Sequence, residues 1–204
     1  MWPDAPDLDT LLAESRHPRI LTLDFLSHCT ARIARFYHYW NRARDTPDGG
    51  QRTMPRRQDI DPIEIPDLLP YLVLTEVLPE APWLRYRLVG TRQVAIRGHD
   101  PTGLPVLGHH IGHHDPRHAD GIEVLLNYRL VIERRAPVFD PVPIRGPKPN
   151  TTGSFAHAQT VEQGTLLLPL SSDGSTVDLV FCCTDIADLD IQPTERVEPH
   201  DGQR

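Results

Sequence analysis

Apolar positions 26, 29, 33, 36, 37 and 40 recur at steps of three and four. That spacing places Leu26, Cys29, Ile33, Phe36, Tyr37 and Trp40 on one face of a helix spanning 24–44. Arg32, Arg35, Arg42 and Arg44 lie mainly off the stripe, and Asp24 stands where an N-cap belongs. The TPDGG turn at 46–50 ends the helix. Asp61-Pro62 opens a short helical piece that Pro66 and Pro70 break. The period then changes to two. YLVLTEVL (71–78) is an apolar, β-prone run. WLRYRLV (83–89) sets Leu84, Tyr86 and Leu88 against Arg85 and Arg87, the alternation of a half-buried strand. The short link between these runs implies an antiparallel pair.

Thr91 caps a short helix over 92–97, stopped by Gly98. After a loop-like stretch, Asp115-Pro116 opens a longer helix to about Arg135, striped by Ile122, Leu125, Leu126 and Leu130. VFDPVPI (138–144) reads as a proline-bearing strand at an edge or bulge. Residues 145–153 read as a loop and 154–163 as extended chain. Strands 165–170 and 176–184 flank Asp173-Gly174, a hairpin signal. On the last strand Val177, Leu179, Phe181 and Cys183 share a face. The order predicts an α+β fold: a five-stranded antiparallel sheet with helices packed on one face, plus an N-terminal helix.

Charge divides the 204-residue chain more finely than its total of −7 does. Residues 1–15 hold four acids and no base, and 185–204 hold six acids against two arginines. Both read as acidic, flexible tails. Residues 16–57, a basic helical cap and loop, carry nine arginines against three aspartates. Residues 58–184 read as the folded domain. No apolar run reaches the ~18 residues of a membrane helix, and the acidic N-terminus does not look like a signal peptide. Three cysteines without a C-x-x-C fit a reducing, cytoplasmic setting.

Three stretches carry a family resemblance: MPRRQDIDPIEIPDLLPYLVLTEV (54–77), LRYRLVGTRQVAIRGHDPTG (84–103) and LLLPLSSDGSTVDLV (166–180). With FYHYWNRAR at their front, they resemble a bacterial family of small, single-domain PAS proteins over roughly 36–184. The two-strand, helical-middle, three-strand order is similar to a PAS domain as well. The resemblance implies a stand-alone sensory or regulatory module, acting through protein contact or small-ligand binding and without catalysis of its own. It names no cofactor, signal or partner. It also implies a ligand pocket between sheet and helices, for which Tyr86, Leu88, Val94, Ile122, Leu126, Leu168 and Phe181 are the candidates.

HHIGHHDPRH departs from the family pattern, placing His109, His110, His113, His114 and His118 within ten residues. Steps of four pair imidazoles on one helical face, as a shared metal requires, although Gly112 and Pro116 interrupt a helix. A metal-binding protein, or a metal-dependent enzyme built on this cluster, is therefore a rival reading. A haem on His118 is a remote variant of it. A third reading is a purely structural dimerisation domain. Nucleophile-elbow, zincin, dinucleotide and P-loop motifs are absent. The stripe of Leu26, Ile33, Phe36, Tyr37 and Trp40 must bury itself on the chain's own sheet or on a second subunit, so a homodimer through this helix is expected. The aromatics do not interleave with arginines, and neither nucleic acid nor membrane is an expected partner.

Overall fold

The computed structural model describes residues 6–97, 99–107, 119–142 and 160–188. Four helices occur among them: α1 (Leu8–Glu14), α2 (Ala31–Arg42), α3 (Thr91–Arg97) and α4 (Ala119–Arg134). Five strands, β1 (Leu72–Val77), β2 (Leu84–Val89), β3 (Val138–Asp140), β4 (Thr160–Leu170) and β5 (Leu179–Asp188), form one antiparallel sheet in the order β2-β1-β5-β4-β3. The predicted α+β architecture is therefore present, with one difference: both faces of the sheet are covered.

The two faces follow from register. Leu72, Leu74, Phe181, Cys183, Leu166, Leu168 and Phe139 pair across neighbouring strands and so share the outer face. Helix α2 lies over it. Phe36 meets Phe181 edge-on at 4.9 Å, and the Trp40 indole donates to the Pro169 carbonyl at 2.9 Å. Ile33, Phe36, Tyr37 and Trp40 are buried there, with Leu26 and Cys29 half-buried. The stripe read as a dimer helix is thus spent on the chain's own sheet. Thr75, Val180, Cys182, Leu167 and Val138 take the opposite parity and face α4.

Three expectations are corrected. Helix α2 begins at Ala31, capped by Thr30, whose hydroxyl accepts from the Ile33 amide at 3.4 Å; Asp24 is not its cap. Residues Leu23–Ser27 make a separate 3-10 turn because Phe25, off the stripe, must reach Phe139 and Tyr37 at 5.5 and 5.3 Å. The acidic N-terminal segment is not uniformly unstructured either. Asp7 accepts from the Thr10 amide at 2.7 Å, Leu11 is fully buried, and α1 packs on α4. Its acids at the N-cap and first turn suit the positive end of a helix. The Asp173-Gly174 hairpin is wider than a two-residue turn: pairing stops at Leu170 and Leu179. Asp173 instead gathers the amides of Ser175 and Thr176 and the Ser171 hydroxyl at 2.7–2.8 Å, and Val177 is buried in the loop.

Two backbone details fix the strand pair beside the site. At Gly90 a Cβ would stand 2.3 Å from the Leu69 carbonyl oxygen, so only glycine permits this approach. In β2 the register slips between Leu74↔Leu88 and Thr75↔Tyr86. That bulge flips the alternation, leaving Leu84, Tyr86 and Val89 buried while Arg87 and Leu88 are exposed.

Candidate functional site

Between the inner face of the sheet and helices α3 and α4 lies a group of buried polar side chains where an apolar core would normally continue. Strand β1 supplies Thr75, β2 Tyr86, β5 Cys182, α4 Tyr128, and α3 Gln93. Thr75 Oγ1 and Tyr128 Oη share a hydrogen bond of 2.8 Å, and Tyr128 Oη lies 3.7 Å from Cys182 Sγ. Burial drives the Tyr128 phenol well above its ordinary range. It pushes the Cys182 thiol up to about 12, against smaller opposing effects from Tyr128 and Arg97. Both groups are therefore neutral at pH 7.

Helix α3 faces this floor. Gln93 and Arg97 stand one turn apart on it. The Arg97 guanidinium lies over the Tyr86 ring, 5.5 Å from its centroid. Two donors here, Gln93 Nε2 and Arg97 Nε, are buried without a hydrogen-bond acceptor. Such orphaned donors cost about 1–3 kcal/mol each, so a fold rarely keeps them without a use.

A second polar cluster ties the N-terminal segment to α4 and β3. Arg19, 2% exposed, donates to Glu123 and to Asn127, both at 2.5 Å. Asn127 Nδ2 donates to Asp140 at 2.8 Å. The His17 ring meets Asp140 at 3.0 Å, and Glu123 also accepts from the Arg16 amide at 2.7 Å and the Ser15 hydroxyl at 3.0 Å. Burial alone would raise the Glu123 carboxyl. The Arg16 amide and the Arg19 guanidinium more than offset it, holding the group down to about 2. Beside this clasp is a hollow of about 380 Å³ lined by Leu12, Arg16, Pro18 and Leu126 among others.

Of the seven pocket residues expected from sequence, Tyr86 belongs to the buried polar cluster. Leu168 and Phe181 point to the other face, under α2. Leu88 is 45% exposed beyond the bulge. Leu126 lines the hollow beneath α1, and Ile122 and Val94 are half-buried against the core. Sequence reasoning missed Thr75, Gln93, Arg97, Tyr128 and Cys182. The available signal was polarity out of place: a threonine inside an apolar strand, and Gln93 and Arg97 on one side of a short helix. The cluster His109, His110, His113, His114 and His118 lies outside the described residues. Among those described, no group of three or more His, Cys, Asp or Glu side chains is placed to hold a metal ion. No described helix is long and apolar enough to cross a membrane.

A family model described as PAS domain matches residues 28–139, more than half of the chain. The chain belongs to the PAS domain family. The matched span runs from just before α2 into β3, so the helix covering the outer face falls within it, and β4 and β5 complete the PAS sheet beyond it. No curated protein and no solved structure matches the chain. Membership points to a sensory or regulatory module in general and to no particular signal. What this PAS domain senses must be read from its own side chains.

Proposed function

We propose that this PAS domain is a regulatory sensor that takes a small molecule between its inner sheet face and α3, and that it acts through contact with another protein without catalysis of its own. The observation that carries this reading is the pair of buried, acceptor-less donors on α3, Gln93 Nε2 and Arg97 Nε, the second beside the Tyr86 ring. A contact built only to fill space would hold apolar side chains of matching volume. Tyr128 and Glu123 both lie on α4, so a ligand beside Tyr128 would bear on α4 and, through Glu123, on the clasp to the N-terminal segment.

Native mass spectrometry of protein purified from cells tests the proposal. The expected result is a bound small mass that is absent from a folded Gln93→Leu variant, which removes one of the two orphaned donors. Protein free of added mass, together with no thermal stabilisation by any member of a metabolite library, would defeat it.

A further inference from the structure

Helix α2 packs on the outer sheet face over β4 and β5. Toward β2 the cover is the segment 57–72. Where that segment meets β1, β2 and β5, a groove of about 50 Å³ remains, lined by Arg57, Ile65, Leu69, Leu74, Leu88 and Phe181 among others. Leu74 and Leu88 are register partners across β1 and β2, and Leu88 is exposed. Arg57 is the one charged side chain in the lining. It is exposed, and its guanidinium donates to the Ile60 carbonyl at 3.3 Å and to no carboxylate among the described residues. A cavity of roughly 150 Å³ takes a benzene. A groove of this size takes one small aliphatic side chain, with an acid beside it to meet Arg57.

Magnitudes decide between a separate protein and the chain itself. Burying one valine or leucine side chain is worth a factor of about ten to a hundred in a binding constant. A separate protein at micromolar concentration needs a factor of about a million. A tethered segment starts from an effective concentration of about millimolar and needs a factor of about a thousand, which one aliphatic anchor with charge contacts reaches. Reach then selects the residue. The chain continues past β5, whose last residue is Asp188. Phe181, at the groove, lies seven residues back along that strand, a span of about 23 Å. Leu189 and Ile191, one and three residues past Asp188, fall short of it, whereas Val197, nine residues past, reaches about 30 Å. Val197 stands between Glu195 and Glu198, and residues 189–204 hold four acids against two arginines. We infer that segment 195–198 of this chain docks in the outer-face groove, Val197 entering it and the flanking acids meeting Arg57. So held, it competes with any other protein for the exposed leucine on β2.

Nuclear magnetic resonance of the full chain tests the docking. A nitroxide is attached at His200→Cys in a Cys29→Ser background, the remaining thiols of Cys182 and Cys183 being buried. The methyl signals of Leu74 and Leu88 are expected to be lost relative to the same protein with the tag reduced. Val197→Asp is expected to restore them and Arg57→Glu to restore them in part, the remaining methyl signals showing that each variant is folded. Signals untouched by the tag, or a loss that Val197→Asp or Arg57→Glu leaves unchanged, would overturn the inference. A loss that appears in untagged copies mixed with tagged ones would overturn it too, by placing the segment of a second copy in the groove.

Discussion

Replacing Glu123 with glutamine removes the charge at the centre of the clasp and leaves its volume unchanged. In the native protein this carboxylate is 8% exposed and lies 2.5 Å from Arg19, itself 2% exposed. Its pKa falls from 4.5 to about 2. Each unit of such a shift is worth about 1.36 kcal/mol, so ionised Glu123 contributes on the order of 3 kcal/mol relative to the unfolded chain. Glutamine keeps an acceptor for the Arg16 amide, and Asp140, 3.4 Å from Arg19, takes over part of the charge balance. The expected loss for Glu123→Gln is therefore about 2–3 kcal/mol, or a fall in Tm of about 5–10 °C for a chain of this size.

The pH dependence makes the argument specific. A carboxyl with a lowered native pKa stabilises fully above its unfolded value and loses that contribution as pH falls through the native value. The window here is pH 4.5 down to about 2. Urea unfolding of wild type and variant at pH 7, 5, 4 and 3 should show a constant difference at the two higher values. By pH 3 the difference should be about half as large. A difference under about 0.5 kcal/mol at pH 7, or one that stays flat down to pH 3, would refute the view that the clasp anchors the N-terminal segment through this ion pair.

Three shorter predictions test other parts of the fold. Gly90→Ala should destabilise by more than about 3 kcal/mol, because its Cβ would meet the Leu69 and Pro70 carbonyl oxygens at 2.3 and 2.4 Å; chemical denaturation reads this directly. Leu88→Glu should change stability by less than about 1 kcal/mol, since the bulge exposes this leucine, whereas a core-facing site would lose several. A thiol-reactive disulfide should label half-buried Cys29 first in native protein. Cys182 and Cys183, both pushed up to about 12 by burial, should react only at the rate of unfolding.

The element order was legible because each element repeats a simple period: three and four for α2 and α4, two for β1 and β2. The faces were not legible. Tyr86 and Leu88 are two residues apart and would share a face in an unbroken strand, but one extra residue at Arg87 moves Leu88 to solvent. A bulge leaves no mark on hydrophobic alternation until its partner strand is known. Leu168 and Phe181 show the same limit from the other side. Strands covered on both faces are apolar throughout, so parity cannot say which helix each residue meets. Gln93 and Arg97 were hidden for a further reason. Polar residues on a short helix usually face water, and only the position of α3 over Tyr86 turns them inward.

The amphipathic stripe of α2 shows where pattern alone stops and what decides next. Its periodicity requires burial but does not name the surface that provides it, and a second subunit would satisfy the pattern as well as the chain's own sheet. Polar contacts show the surface this helix meets within the chain. The Trp40 indole finds its acceptor on β4, and Arg32 finds Asp185 on β5. Both are obligations that a purely apolar dimer seam would leave unmet. The exposed edges are handled in the same way by segments without periodicity. Ile20 bridges to Phe139 on β3, and Tyr86 and Val106 donate their amides to Leu104 and Leu84, laying residues 103–106 along β2. Among the described residues, α2 thus lies over the outer face, and single bridges from other segments meet part of each edge strand. Helices and loops are therefore, among the described residues, the surfaces this sheet leaves for contact, and the Gln93 and Arg97 donors on α3 are buried polar groups that the fold itself does not match.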